Sequence, residues 1–104
     1  MREITKTDSG KELHAEIGEV FELRLPENPT TGYRWELRSH GDPVLELAED
    51  AFAPSGDAVG AGGMRRWTFR ILRAGVARLE LVQRRSWERN ATDTFNVAIR
   101  VTAR

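Results

Sequence analysis

Thr94-Phe95-Asn96-Val97-Ala98-Ile99-Arg100-Val101-Thr102 alternates without a break. Phe95, Val97, Ile99 and Val101 form one apolar set, and Asn96, Ala98, Arg100 and Thr102 form the other. A period of two puts the two sets on opposite faces of a strand with one side in a core. The same period recurs upstream. Leu79 and Leu81 with Ala77 alternate with Arg78 and Glu80, giving a strand over 77–83. Trp67, Phe69 and Ile71 alternate with Arg66, Thr68 and Arg70, giving one over 66–73. Tyr33, Trp35 and Leu37 alternate with Arg34, Glu36 and Arg38 over 33–38. Phe21, Leu23 and Leu25 do so over 20–25, where Pro26 is expected to end the strand by removing a ladder donor. Leu13, Ala15 and Ile17 form another run that Gly18 breaks, and residues 3–7 read as a first strand closed by Asp8-Ser9-Gly10. Leu45 and Leu47 suggest a short strand, with room for one helical turn within 46–52 before Pro54.

No segment carries a helix of convincing length. Seven or eight short strands with turn residues between them define an all-β fold, an immunoglobulin-like β-sandwich occupying residues 1–104 as a single domain. The chain has no cysteine, so the sandwich lacks an intersheet disulfide, and thiolate chemistry and thiolate metal sites are excluded.

Acidic and basic residues balance at 16 each, which leaves no net field to draw nucleic acid or an anionic membrane. All basic residues except Lys6 and Lys11 are arginine, the cation suited to stacked and bidentate contacts. No apolar run approaches the ~20 residues of a membrane helix. Met1-Arg2-Glu3-Ile4-Thr5 lacks the apolar segment of a signal peptide. A chain that never carried a leader is therefore expected in the cytoplasm, and one that lost a leader in the periplasm or outside the cell. Nothing demands an oligomer, and a monomer is expected when free.

Three loops are unusual. Asn28-Pro29-Thr30-Thr31-Gly32-Tyr33 is turn chemistry: Pro29 fixes its own φ, and Gly32 can adopt positive φ. Residues 55–63 hold four of the nine glycines and read as a long loop ending in Gly60-Ala61-Gly62-Gly63, after which Met64 opens a strand. That run resembles a phosphate-binding loop only weakly, since it lacks the lysine and the helix such a loop needs. Arg84-Arg85-Ser86-Trp87-Glu88-Arg89 clusters arginine around an aromatic ring. Such a cluster serves single-stranded nucleic acid or a protein partner, or folds back onto a sheet edge. Neutral net charge and Glu88 argue against nucleic acid. His14 and His40 lie outside any metal spacing and read as surface residues, and no nucleophile motif is present. No catalytic residue, metal site or cofactor is assigned.

Strand order gives these loops a common address. With residues 20–25 as strand B, 33–38 as C, 66–73 as E, 77–83 as F and 94–101 as G, the loops are B–C, D–E and F–G. Alternation sends all three to one end of a sandwich.

The three motifs, in order and spacing, resemble the chagasin-like inhibitors of papain-family cysteine peptidases. Asn28-Pro29-Thr30-Thr31-Gly32-Tyr33 is similar to that family's Asn-Pro-Thr-Thr-Gly-aromatic loop. Gly60-Ala61-Gly62-Gly63 is similar to its Gly-x-Gly-Gly loop, and Arg85-Ser86-Trp87 to its Arg-Pro-Trp motif. The resemblance implies a reversible, non-covalent inhibitor whose three loops enter the cleft of a papain-like cysteine peptidase. Thr31 would lie at the peptidase's catalytic centre with Thr30 and Gly32 beside it. Gly62 and Gly63 would run along one side of the cleft, and Arg85 and Trp87 along the other. Ser86 departs from the motif: it frees φ and restores an N–H where proline is usual, so a more mobile F–G loop is expected. The alternative from another class is an immunoglobulin-like adhesion or ligand-binding module with no peptidase target.

Overall fold

The computed structural model describes residues 2–54 and 62–103. Eight strands form two four-stranded sheets. They are β1 (Arg2–Ile4), β2 (Glu12–Glu16), β3 (Val20–Glu27), β4 (Tyr33–His40), β5 (Leu45–Pro54), β6 (Gly63–Ile71), β7 (Gly75–Arg85) and β8 (Asp93–Thr102). One sheet runs β1-β3-β6-β5 and the other β2-β8-β7-β4. Among the described residues, only two single 3-10 turns, Lys6–Asp8 and Pro29–Thr31, accompany them. The N-terminal segment changes sheets: β1 pairs parallel with β3, and β2 pairs parallel with β8. The other pairings are antiparallel.

The alternating apolar sets form the interior. Phe21, Leu23 and Leu25 from β3 meet Trp67, Phe69 and Ile71 from β6, with the Phe21 and Phe69 rings stacked 5.3 Å apart. Ala77, Leu79 and Leu81 from β7 and Phe95, Val97, Ile99 and Val101 from β8 line the facing sheet. Burying each such large side chain contributes about 1.5–3 kcal/mol relative to exposure.

Several boundaries differ from those read in the sequence. Residues 3–7 are not one strand: β1 ends at Ile4, and Lys6–Asp8 turns, closed by the Asp8 carboxylate accepting the Thr5 N–H at 2.9 Å. Ile17 lies past β2 and is exposed. Pro26 does not end its strand, since β3 continues to Glu27. β1 covers β3 only as far as the Ile4–Leu23 pair, so this part of β3 is an edge, where proline is tolerated. β4 runs on to His40, two residues past the strand read over 33–38, with a bulge between Leu37 and Ser39. Residues 46–52 make no helical turn. They belong to the ten-residue edge strand β5, with a bulge between Leu47 and Glu49. Polar residues hid this strand because an edge strand buries little of either face. β6 begins at Gly63, just before Met64, and Arg84 and Arg85 end β7, so Gly63, Arg84 and Arg85 sit on strands rather than loops.

Register fixes which loops share an end. Glu27 at the end of β3 pairs with Gly63, which also pairs with Pro54 at the end of β5. In the other sheet Tyr33 pairs with Arg85, and Gln83 with Asp93. The B–C loop, the two sides of the D–E loop and the F–G loop therefore leave one pole. The described chain ends are at the opposite pole, where Arg2 pairs with Phe21 and Thr102 with Glu16.

Candidate functional site

The centre of the loop pole is a turn closed by its own atoms. Asn28 caps it: Oδ1 accepts the Thr30 N–H at 3.1 Å and the Thr30 hydroxyl at 2.7 Å. The Asn28 carbonyl accepts the Thr31 N–H at 3.1 Å and the Thr31 hydroxyl at 2.8 Å. Pro29 opens the 3-10 turn, where a missing N–H costs nothing. Gly32 ends it at φ 82°, ψ −7°, with its N–H donated to the Pro29 carbonyl at 3.1 Å. This left-handed geometry favours glycine. Space demands it as well, because a Cβ on Gly32 would lie 3.0 Å from the Trp87 ring. Thr30 and Thr31 stand exposed at the apex.

The other two loops flank this apex at opposite ends of the turn. On the Asn28 side lies the chain leading out of the glycine-rich loop. Gly60 lies outside the described residues; Gly62, Gly63 and Met64 are described. A Cβ on Gly62 would make only ordinary contacts, 3.5 Å from the Glu27 carbonyl and 3.6 Å from Asn28 Cβ. Gly63 has no such freedom, since a Cβ there would strike the Ala53 carbonyl and come within 2.6 Å of Phe52 Cζ. So Gly63 is a requirement of strand packing, whereas the fold does not require Gly62. An open notch lies here, lined by Asn28, Trp35, Gly62, Met64, Gln83 and Asp93 among others.

On the Gly32 side lies the F–G tip. Arg85 Nε donates to the Thr31 carbonyl at 3.1 Å. Its guanidinium sits 4.2 Å over the Tyr33 ring and 5.7 Å from the centre of the Trp87 ring. Trp87 contacts Gly32 at one ring edge yet remains 71% exposed. It neither folds back into the sheet nor leaves the B–C loop. Arg84 gathers the tip from beneath. Its Nη1 donates to the Glu88 carbonyl at 2.7 Å and lies 3.4 Å and 3.5 Å from the carbonyls of Arg85 and Ser86, while its Nε pairs with Glu36 at 2.5 Å. The tip that lacks the proline is thus gathered by a guanidinium.

Below the apex lies a group the sequence reading did not single out. Glu27 is the one buried charged residue among those described, 4% exposed. Its Oε2 accepts the Trp35 N–H at 2.8 Å, and the Trp35 indole donates to the Pro26 carbonyl at 2.8 Å. Arg65 Nη1 stands 3.5 Å from Glu27 Oε1. Arg65 also grips Asp50 through Nε at 2.5 Å and Nη2 at 2.7 Å, with its guanidinium 5.3 Å over the Trp67 ring. The hydrogen bonds to Asp50 raise the Arg65 pKa above the ordinary arginine value. Desolvation opposes the rise, and the charges of Asp50 and Glu27 add to it. The signal for this group was in the alternation itself: Phe21, Leu23 and Leu25 extend inward to Glu27, and Ile71, Phe69 and Trp67 extend back to Arg65.

His14 and His40 are exposed and far from this pole, on β2 and at the end of β4. The described part of the pole brings together a small hydroxyl apex, the Gly62 backbone on one flank and an indole on the other.

Comparison with known proteins specifies the class. Residues 14–99 match the chagasin family of peptidase inhibitors, I42, and the chain belongs to that family. It is 28% identical to chagasin of Trypanosoma cruzi over 105 residues, covering 96% of each chain. It is 33% identical to amoebiasin-1 of Entamoeba histolytica over 101 residues, covering 94% of this chain and 97% of that one. The crystal structure of a cysteine protease inhibitor from Entamoeba histolytica superposes with a TM-score of 0.87 at 20% identity, covering 97% and 95% of the two chains. The family is one of inhibitors rather than enzymes.

Proposed function

We propose that this protein reversibly inhibits papain-like cysteine peptidases by seating the Thr30-Thr31-Gly32 apex in the active-site cleft. The observation that carries the reading is the joining of two loops by Arg85, which binds the Thr31 carbonyl and lies against Trp87. The apex and its aromatic flank are therefore assembled before any partner arrives. Preassembly lowers the ordering cost of association. Asn28 and Pro29 shape the apex, Tyr33 supports it, and Gly62 with Met64 borders it on the other side. Gly60 is assigned to the same contact by the sequence motif alone and lies outside the described residues. Ser86 is exposed between the two anchors Arg85 and Trp87.

The apex is a poor substrate. Its backbone forms a 3-10 turn with internal hydrogen bonds, whereas a cleft pairs with extended chain. Gly62 supports a role in contact, because the fold itself leaves room there for a side chain. A partner that needs close backbone approach explains the absence of one. The interface would bury roughly 1,200–2,000 Å², the usual range for specific complexes.

The test is titration of papain or a cathepsin L-like peptidase with the purified protein, alongside competition with an active-site-directed cysteine reagent. Inhibition with protection of the active-site cysteine is expected. No inhibition at micromolar protein would leave a binding module without a peptidase target.

A further inference from the structure

We infer that Glu27 is a positioning residue for the inhibitory apex, held in place by Arg65 and Asp50. The inference rests on the proposed inhibition of peptidases and deepens it. The fold alone gives no reason for a charge at this place. An apolar side chain would continue the inward series Phe21, Leu23, Leu25, and a buried ion pair is often no more stabilising than apolar packing of similar volume. The carboxylate does something an apolar group cannot. β4 is the edge of its sheet, with β7 its only partner strand among the described residues. The Trp35 N–H points away from that partner, and Glu27 supplies its acceptor from the other sheet. The two residues bracket the B–C loop, eight positions apart. One carboxylate thus fixes the distance between the strand that enters the loop and the strand that leaves it.

Arg65 extends the control to the second loop. It lies two residues into β6, just after the glycine-rich segment, and Asp50 lies on β5, the strand leading into it. The sequence Asp50–Arg65–Glu27–Trp35 therefore ties β5, β6, β3 and β4 together directly beneath the apex. Arg65 also provides the counter-charge that a buried carboxylate requires. Without this chain the sandwich can still close around its apolar core. The apex would then sample other positions, and only a fraction of molecules would be ready to bind. A reduced competent fraction lowers the apparent affinity by that fraction, through association rather than dissociation.

The experiment compares Glu27→Ala, Glu27→Gln and Arg65→Met with the unaltered chain. Association and dissociation rates with papain are measured at a temperature where circular dichroism shows each variant folded. Amide hydrogen exchange is followed at Thr31, Gly32 and Trp35. Glu27→Ala is expected to associate about tenfold more slowly and to dissociate within about twofold of the parent. Glu27→Gln retains an acceptor for the Trp35 N–H and should recover part of the lost rate. Exchange at Thr31 and Gly32 should quicken in Glu27→Ala. Folded Glu27→Ala with the parent's association rate and unchanged exchange would overturn the inference. Should Glu27→Ala fail to fold, the same two readouts on Glu27→Gln and Arg65→Met decide it. If the unaltered chain inhibits no papain-like peptidase, the proposed function falls. The exchange rates at Thr31 and Gly32 then still support or reject the positioning role.

Discussion

Arg85 and Thr31, 54 positions apart in the chain, are joined by a hydrogen bond of 3.1 Å from the guanidinium to the backbone carbonyl. Arg85 belongs to the proposed contact surface. In the free protein this guanidinium is already engaged, by a carbonyl on one side and by the Tyr33 and Trp87 rings on the other. Arg85→Ala should therefore act through the geometry of the apex as much as through lost contact. Inhibition should weaken by about 10- to 100-fold, equivalent to roughly 1.5–3 kcal/mol. Arg85→Lys should recover little, because a lysine cannot hold the carbonyl and both rings together. Inhibition constants for the two variants check this.

Trp87 separates binding from folding. Its ring is largely exposed, so Trp87→Ala should shift unfolding free energy by no more than about 0.5 kcal/mol. The same change should weaken inhibition by at least about 30-fold if Trp87 is an interface anchor, since such anchors contribute ~2 kcal/mol or more. Chemical denaturation and inhibition assays on one preparation test both halves.

Gly32 and Gly62 should respond differently to alanine. At Gly32 the positive φ and the nearby Trp87 ring make a Cβ costly, by about 1–2 kcal/mol of stability. At Gly62 the folded protein has room, so stability should stay within about 0.5 kcal/mol while inhibition falls. Equal inhibition by Gly62→Ala and the parent would remove Gly62 from the contact surface.

Ser86 and Arg84 should be coupled. Proline at position 86 reduces the freedom of the unfolded tip and is expected to gain up to ~1 kcal/mol where the backbone geometry suits it. Arg84 already gathers the neighbouring carbonyls. Ser86→Pro should thus help little in the parent and more in an Arg84→Ala background. A double-mutant cycle with no coupling would refute this compensation.

Arg65→Met should destabilise the fold by about 3 kcal/mol, because it leaves the Glu27 carboxylate buried without its counter-charge. The pH dependence of that loss follows from the raised Arg65 pKa. A raised folded value means the arginine's contribution is complete below its unfolded pKa and is lost only as pH rises through the higher folded one. Both lie far above the neutral range, so the stability gap between Arg65→Met and the parent should be flat from about pH 6 to 9. Urea denaturation of both proteins across that range measures it.

The sandwich was legible because most of its strands bury one face. Phe95 to Val101 and Phe21 to Leu25 declare their direction by alternation alone. β5 was not legible in full, because an edge strand of Glu46, Leu47, Ala48, Glu49 and Asp50 is exposed through its middle, and its bulge breaks the period. Strand order alone places the three loops at one end. It does not give the contacts among them. Arg85 reaching Thr31, and Glu27 reaching Trp35, depend on which strands face each other across the two sheets. Glu27 was obscured for a further reason: a charge in an apolar series looks like the end of the series, and the adjacent Pro26 reinforced that impression.

Arg2 and Thr102, near the two ends of the described chain, pair at the pole opposite the loops. A fluorophore, an affinity handle or a surface linker attached at either end would therefore hang about the length of a sandwich away from the apex. The molecule can be immobilised with its working end outward, and two copies could be joined through a short spacer to engage two peptidases at once.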